Sequence, residues 1–386
     1  MSTTTQPPSG SAIDVGAIER ELTSLWQQAS EDEDHGVIRS SILNLLVYTS
    51  NTSDADLVND MLSGITAAHP CRAVLMLADA SASEAKLEAQ VTSRCTLPTA
   101  TSKQVCCEQV TINASGSAVN DVPSAVAPLL LSDLPVYLWW RAVPRIQDKA
   151  LFRKLTDISD RVIIDSAFFN DPQGDIAKMA RVLNDTPRWS AISDLNWARL
   201  TAWRALLAGF YDVGEYRSHL ARLDRVDIEY APSTVDASAI PARALLLGSW
   251  LASRLGWRVQ ADSGKRTDET TSFEFSADSH PITVRFIRTT REIEPGHIAL
   301  VTLRCAGDCV ADNGGSFTVR RSEDGQRIET SVRRGEETHV QRVLSYEGLG
   351  EGELIGREIE IVGHDRVYEQ AVVAAGELIG ALSANP

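Results

Sequence analysis

The amino-acid sequence predicts an α/β fold, with N-terminal helices leading into a layered α/β domain and then a mixed α/β C-terminal domain with a small sheet. Three observations support this prediction. Apolar residues recur at helical spacing before residue 68. From Pro70 to residue 184, short apolar runs alternate with helical patterns, as expected of strands covered by helices. From about residue 257, strand-like segments are separated by clusters of Gly and Asp, which suit turns.

Three helices are predicted at the start of the chain, over residues 14–30, from the acidic run at 31–34 onward, and over 54–67. Acidic residues at a helix N-terminus are stabilised by the helix dipole, so the run at 31–34 suits the start of the second helix. Each helix has an apolar stripe, formed in turn by Ile18, Leu22, Leu25 and Trp26; by Ile38, Ile42, Leu45 and Leu46; and by Leu57, Met61 and Ile65.

The layered domain follows Pro70, which ends the third helix. Its first strand is the continuous apolar run over 73–78, which has no polar face and therefore indicates a strand buried on both sides. The further elements are strands over 104–113, 134–140 and 161–165, and helices over 122–131, 147–156 and 173–184. This alternation favours a sheet between helical layers.

A domain boundary is predicted between Thr186 and Ser193. The chain then divides into a disordered tail at 1–12, an N-terminal α/β domain at 13–188 and a C-terminal α/β domain at 189–386. The second domain opens with a helix over 194–211, with Asp194 as its N-cap. It continues with a strand over 226–230, a helix over 241–255, strands over 257–261, 271–276, 282–288, 298–305, 315–321 and 326–333, and a last helix over 366–382 that covers the sheet.

The charge balance restricts the classes of partner. The chain has 52 acidic and 37 basic residues and a formal net charge of −15, which disfavours nucleic acid and anionic membranes. No stretch reaches 18 consecutive apolar residues, so no membrane span is predicted. The segment Met1–Ser11 lacks the features of a signal peptide, so a cytoplasmic location and mostly reduced cysteines are expected.

A search for catalytic motifs finds none of the common ones. The sequence has no P-loop, no Gly-x-Gly-x-x-Gly between a strand and a helix, no His-Glu-x-x-His and no Gly-x-Ser-x-Gly. These absences disfavour an enzyme without excluding one, and we expect neither a cofactor nor a metal site. The alternating glycines 348, 350 and 352 follow no clear strand, so they indicate a flexible connection rather than a phosphate loop.

Two carboxylates support a competing hypothesis. Asp79 and Asp165 each follow an apolar run, at the end of a strand where α/β proteins bind ligands. In an enzyme acting on a sugar phosphate, Asp79 or Asp165 and a basic residue such as Arg141 would surround a pocket. A third hypothesis is a metabolite sensor that binds a sugar phosphate or a nucleotide without chemistry. Alternatively, each aspartate caps a loop or a helix.

The cysteines include one candidate redox pair. Cys305 and Cys309 are separated by Ala-Gly-Asp, which can turn and bring the two thiols together as a redox switch. Alternatively, they are two ordinary thiols near the end of a strand. A bond between Cys106 and Cys107 is disfavoured, because adjacent residues of a strand point to opposite faces.

Two segments rich in tryptophan are unusual in a chain that is 6% aromatic. The first runs from Pro128 to Trp140 and ends in Asp-Leu-Pro-Val-Tyr-Leu-Trp-Trp. The second, from Asp194 to Arg204, reads Asp-Leu-Asn-Trp-Ala-Arg-Leu-Thr-Ala-Trp-Arg. Because tryptophan and arginine are enriched in interface hot spots, the segments supply candidates for a partner surface: Tyr137, Trp139, Trp140, Arg141, Trp197, Arg199 and Arg204. Alternatively, the tryptophans are core residues and the arginines form structural ion pairs.

Both segments resemble signature stretches of the OpcA family of glucose-6-phosphate dehydrogenase assembly proteins from cyanobacteria and actinobacteria. The segments Arg39–Leu46 and His69–Arg72 also fit, and the resemblance covers roughly residues 35–380. It implies a two-part protein of the oxidative pentose phosphate pathway, without catalytic residues, that binds the dehydrogenase, promotes its active oligomer and activates it allosterically. Cyanobacterial members are associated with thioredoxin-dependent redox control, for which Cys305 and Cys309 are the candidates here.

Overall fold

The computed structural model describes residues 13–31, 37–96, 104–142, 151–185, 190–277, 280–305, 315–335, 337–346, 348–361 and 363–383. The predicted disordered tail at 1–12 lies outside these residues. The chain forms two compact units, and each consists of three segments. The first unit contains Met1–Asp165, Arg188–Leu195 and Gly350–His364; the second contains Ser166–Pro187, Asn196–Leu349 and Asp365–Pro386.

The units differ from the two contiguous domains that the sequence predicts, because the chain passes between them more than once. The helices are α1 Val15–Glu31, α2 Ala55–Ala68, α3 Val122–Val126, α4 Leu151–Asp157, α5 Pro172–Asp185, α6 Leu195–Ala198, α7 Thr201–Gly209, α8 Arg217–Leu220, α9 Ala242–Leu255, α10 Glu351–Glu360 and α11 Arg366–Ser383. Helix α5 belongs to the second unit and helix α10 to the first, so each belongs to a different unit from the helices or strands next to it in the chain.

The first unit contains an eight-stranded, mostly parallel sheet. Its strands are β1 Val37–Arg39, β2 Leu43–Thr49, β3 Cys71–Asp79, β4 Lys86–Thr96, β5 Gln104–Ser115, β6 Val136–Arg141, β7 Arg161–Ile164 and β8 Ala191–Asp194. Their order is β1-β5-β3-β2-β6-β7-β8, with β4 paired antiparallel to β5 and the other pairs parallel. The predicted strands at 73–78, 104–113, 134–140 and 161–165 are confirmed as β3, β5, β6 and β7.

The second predicted helix is wrong, because residues 43–49 form strand β2 at the centre of the sheet. All seven side chains of β2 are buried, including the polar Asn44. The Asn44 amide donates to the carbonyl of Leu131 at 3.1 Å, and its oxygen accepts from the Leu131 N–H at 2.8 Å. A strand that is buried on both faces has no alternation of polar and apolar residues, so its apolar spacing also fits a helix.

The second unit contains a nine-stranded sheet, which is larger than the small sheet predicted. Its strands are β9 Leu223–Tyr230, β10 Arg258–Val259, β11 Lys265–Arg266, β12 Thr270–Ser276, β13 Pro281–Arg288, β14 Ile298–Cys305, β15 Gly315–Arg321, β16 Arg327–Arg334 and β17 Glu337–Ser345. The order is β10-β12-β13-β9-β14-β15-β16-β17, with β11 beside β12. All pairs are antiparallel except β9 with β13. The α/β fold class is thus confirmed for both units.

Helices pack on one face of this sheet. A Cβ atom at Gly248 of α9 would lie 2.7 Å from Cζ of Phe286, so α9 and β13 approach closely. The last helix, α11, packs against α5 and α9 rather than forming the cover of the sheet by itself. The predicted helix over 194–211 is interrupted, since α6 ends at Ala198 and α7 begins at Thr201.

Candidate partner-binding surface

The carboxyl edge of the parallel sheet is the usual ligand position in an α/β fold. After β2 the chain continues through α2 to β3 on one side, and after β6 it continues through α4 to β7 on the other. The chain therefore reverses direction between β2 and β6, and the crevice at such a switch point commonly binds a nucleotide. The groups at the ends of β2 and β6 decide whether this crevice suits a phosphate.

Carboxylates neutralise the cation at this position. Arg141, the last residue of β6, forms ion pairs with Asp54 and Glu351, with 3.1 Å between its Nε and Oε1 of Glu351. Burial alone would lower the pKa of Arg141, but the hydrogen bonds and charges of the two acids outweigh it and raise that pKa. The turn from β2 to α2 contains no glycine, so no bare backbone amides are presented there. The crevice is therefore poorly suited to a phosphate.

The aromatic side chains of β6 lie in the core of the first unit. Trp139 and Trp140 are buried, whereas Tyr137 is partly exposed. The ring of Trp140 stacks on Tyr48, with 3.9 Å between centroids, and meets Phe152 edge-on at 4.8 Å. These two tryptophans therefore offer almost no surface to a partner.

The second tryptophan motif is likewise part of a core, in the second unit. Trp197 is buried, and its indole N–H donates to Oδ2 of Asp365 at 2.9 Å. The guanidinium of Arg204 lies over the ring of Trp197, with Cζ 3.5 Å from the centroid. Arg199 and Arg204 are half-buried, and Trp203 is buried. The arginines are thus the only partly accessible members of this motif's candidate set.

The exposed apolar side chains concentrate on a strand that the sequence analysis missed. All nine residues of β17 are exposed, and Val340 has 63% of its surface accessible. Val343 and Leu344 are also large exposed apolar residues. Among the described residues, β17 pairs with β16 and ends the strand order of its sheet. It therefore presents the unpaired backbone groups of a sheet edge.

A polar row crosses one face of the sheet and ends at β17. Cross-strand partners place the following residues on that face: Arg285, Asp227, Thr302, Thr318, Ser331 and Val340. The buried carboxylate of Asp227 accepts from Nε of Arg285 at 2.6 Å, and its other oxygen is 3.3 Å from Nε of Arg304. Arginines on a polar face beside apolar edge residues match the composition of protein interfaces.

The structure contains a disulfide that the sequence analysis did not predict. Cys95 of β4 and Cys106 of β5 are direct cross-strand partners and are bonded, with Cα atoms 4.0 Å apart. Cys106 is buried and Cys95 is partly exposed. Sequence spacing alone does not give connectivity, and Cys95 lies outside every strand that was predicted.

Cys71 and Cys107 are buried free thiols, and Cys305 is also buried. Burial raises the pKa of Cys71 well above its usual range, with a smaller contribution from neighbouring Cys107, and burial likewise raises the pKa of Cys107. The thiol of Cys305 donates to the carbonyl of His219 at 3.5 Å. Cys309 lies outside the described residues, so the pairing of Cys305 with Cys309 stays a prediction.

Two family models match consecutive parts of the chain. A model described as the glucose-6-phosphate dehydrogenase subunit N-terminal domain matches residues 63–181, and one described as the C-terminal domain of that subunit matches 190–372. Together they cover well over half of the sequence. The chain belongs to the OpcA family. The first family model ends at residue 181 and the second begins at residue 190, near the predicted domain boundary. The compact units differ from this division, because each consists of three separate segments of the chain.

Curated relatives in this family come from cyanobacteria and carry the name OxPP cycle protein OpcA. The protein from Synechocystis sp. is 27% identical over 312 residues, which are 80% of this chain and 63% of the relative. The protein from Nostoc punctiforme is 28% identical over 319 residues, which are 79% and 64%. The protein from Synechococcus elongatus is 33% identical over 217 residues, which are 55% and 46%. The chain spans less than two thirds of the length of each relative.

Solved structures resemble the chain only at a distance. KijD10, a 3-ketoreductase from Actinomadura kijaniata, has a TM-score of 0.49 and 10% identity, covering 89% of this chain and 98% of its own. Within the described ranges, no helix has the length and apolar character needed to cross a membrane.

Proposed function

We propose that the chain is a non-catalytic assembly factor and allosteric activator of glucose-6-phosphate dehydrogenase in the cytoplasmic oxidative pentose phosphate pathway. One observation carries the proposal: strand β17 is fully exposed at the edge of a large sheet and bears Val340, Val343 and Leu344. Family membership supports the choice of partner, because both matching models are described as domains of a dehydrogenase subunit.

Strand β17 would bind the dehydrogenase by strand addition or by packing of the adjoining sheet face. Unpaired N–H and C=O groups supply main-chain hydrogen bonds, and alternate side chains supply specificity. Val340 lies at the end of the polar row that contains Asp227, so edge and face form one continuous surface. Activation follows only if this surface binds the active oligomer of the dehydrogenase more tightly than the inactive form.

The chemistry at the carboxyl edge of the parallel sheet supports a role without catalysis. Arg141 is held by two carboxylates, so it has little remaining affinity for a phosphate. Asp79 accepts from the N–H of Ser81 at 2.9 Å and from its hydroxyl at 2.6 Å. These bonds lower the pKa of Asp79 and support the alternative in which this residue caps a turn. Asp165 is buried directly after β7.

An enzyme or a sensor of sugar phosphates remains the competing function, and it predicts different results. An enzyme turns over substrate without any partner. A sensor shows a higher melting temperature with ligand, because a ligand that binds only the native state stabilises it. The assembly factor shows neither by itself and gives a saturable rise in dehydrogenase activity when the two proteins are mixed.

Replacing Val340 with lysine is expected to raise the concentration of this chain that half-saturates activation by at least about tenfold. A lysine on an edge strand opposes pairing with a second strand, and Val340 is too exposed for the change to disturb the core. The measurement is NADPH formation by the dehydrogenase from the same cell, titrated with wild-type chain and with Val340→Lys.

The matched control is Val235→Lys, which makes the same change at an exposed valine outside β17. It should activate like the wild type. Equal activation by Val340→Lys and wild type would show that β17 is not part of the interface. No activation and no co-migration of the wild-type chain with the dehydrogenase would reject the proposed function itself.

We further propose that redox control, through thioredoxin or a similar dithiol, acts on the Cys95–Cys106 disulfide. Cys95 is partly exposed, which suits attack by a partner thiolate, whereas burial keeps Cys71 and Cys107 protonated and unreactive. Cys305, which the sequence suggests as a redox residue, is buried and contacts the carbonyl of His219, so it is less accessible than Cys95.

Reduction of this disulfide is expected to lower the free energy of unfolding by about 2–4 kcal/mol, because it releases the constraint on a loop with a sequence separation of 11. Urea unfolding with and without dithiothreitol measures the change. Cys95→Ala should unfold like the reduced wild type and should not respond to dithiothreitol.

The same variants distinguish the two candidate redox sites in the activation assay. If the Cys95–Cys106 bond is the switch, the effect of reductant on activation disappears in Cys95→Ala and persists in Cys305→Ser. If the effect of reductant instead persists in Cys95→Ala and disappears in Cys305→Ser, the redox switch is the pair Cys305 and Cys309. Activation that ignores reductant in the wild type would reject redox control.

A further inference from the structure

We propose that the seam between α2 and α10 is a docking groove for an amphipathic helix with basic flanks, presented by a partner protein. The groove has a volume of about 830 Å³ and is lined by residues of these two helices together with His69 and Gly350. All of them belong to the first unit, whereas β17 belongs to the second. The groove therefore lies in a different unit from the dehydrogenase surface proposed above.

Helix α2 carries more apolar surface than the core uses. Its inner face buries Val58, Leu62 and Ile65. A second stripe faces the groove, and Leu57 is 52% exposed although it is a large apolar residue. The stripe has the 4-3-4 spacing of a helix-packing seam and consists of Leu57, Met61, Gly64 and Ala68.

Small residues form the floor of the groove on α10. Gly352 and Gly356 are four residues apart and both line it. Gly352 lies in the first turn of α10, and Gly356 lies in its interior, where a glycine lowers helix stability. A Cβ at Gly352 would lie 3.5 Å from Cβ of Met61 and one at Gly356 would lie 3.4 Å from Nε2 of His69, so the glycines let α2 and α10 approach each other closely. Both glycines are also partly exposed and line the groove, so a third helix placed there would meet the backbone of α10.

The charge of the rim selects the occupant. Four carboxylates line the groove, against one arginine and one histidine: Asp60, Glu351, Glu353 and Glu360, with Arg357 and His69. Glu351 is bound to Arg141, and Oε1 of Glu360 is 3.9 Å from Nε2 of His69, so acidic charge remains in excess. A second copy of this chain would bring the same acidic rim and be repelled. A helix flanked by Lys or Arg is complementary.

A selection experiment on the full chain tests this assignment. The probe is a displayed library of three-heptad helical peptides with Leu or Ala at the seam positions and Lys, Gln or Glu varied at the flanks. Peptides that bind the wild type should be enriched in flanking Lys. These peptides should bind the Gly64→Leu variant at least about tenfold more weakly than the wild type, because the leucine side chain fills the groove. Added salt should weaken their binding to the wild type.

The structure provides a matched control for this variant. Gly64 and Gly380 are both exposed helical glycines with nothing within 4 Å of an added Cβ, so leucine is accommodated at either position. Gly380→Leu should bind the selected peptides like the wild type. No enrichment of basic flanks, or equal binding to Gly64→Leu, would overturn the proposal. A wild-type dimer that Gly64→Leu converts to a monomer would also overturn it, because a second copy would then occupy the groove.

Discussion

Replacing Arg72 with methionine is expected to lower the free energy of unfolding by about 3–5 kcal/mol, because it leaves the carboxylate of Glu108 buried without its cation. Arg72 is 2% exposed and Glu108 1%. Nη2 of Arg72 is 2.6 Å from Oε2 of Glu108, and its Nη1 donates to the carbonyl of Leu129 at 2.8 Å. Oε1 of Glu108 accepts from the indole of Trp26 at 2.7 Å. The ion pair thus connects β3 with β5, and the Trp26 hydrogen bond and a second ion pair, from Arg72 to Glu19, connect both strands to α1.

Urea unfolding of the purified chain measures this loss. The double variant Arg72→Met with Glu108→Leu should recover most of the stability, because an apolar pair of similar volume needs no buried charge. Arg153→Met is a surface control, since its partner Asp157 is exposed, and should change stability by less than about 1 kcal/mol. A loss for Arg72→Met no larger than that of Arg153→Met would mean that solvent reaches Glu108 and the pair is not structural.

The sequence predicts a strand of the first unit correctly where a short apolar run has no further apolar residues at helical spacing beside it. The run at 73–78 and the segment ending in Trp140 are too short for helices, and they form β3 and β6. The same reasoning fails for β2, because the preceding Ile38 and Ile42 extend its apolar residues into helical spacing. Only pairing with β3 and β6, which is not a local property, decides between the two structures.

The candidate surfaces were harder to predict, because each lacks the pattern on which sequence reasoning depends. Strand β17 buries neither face, so it has no apolar alternation. Helix α10 contains Gly352 and follows Gly348 and Gly350, so the segment resembled a flexible connection. The tryptophans are rare, large side chains, which suggests a partner surface, yet the same properties make them core residues. A prominent residue type indicates burial as readily as binding.

Replacing Trp197 with alanine is expected to cost about 3–5 kcal/mol of unfolding free energy, because the ring is a packed core element rather than a docking residue. The indole contacts Tyr368, with 5.7 Å between centroids, and its N–H donates to Asp365 at 2.9 Å. The guanidinium of Arg204 covers one face of the ring. Alanine removes all three interactions and leaves a cavity.

The variant Trp197→Phe separates packing from the polar contacts. Phenylalanine keeps most of the apolar volume but loses the hydrogen bond to Asp365 and weakens the cation–π contact with Arg204, so a loss of about 1–2 kcal/mol is expected. Unfolding and dehydrogenase activation should be measured on the same samples. If Trp197→Ala unfolds like the wild type but fails to activate, Trp197 is an interface residue and the core assignment is wrong. If stability falls as expected while Trp197→Phe still activates fully, the motif acts through the fold, and the docking residues lie elsewhere, as proposed for β17.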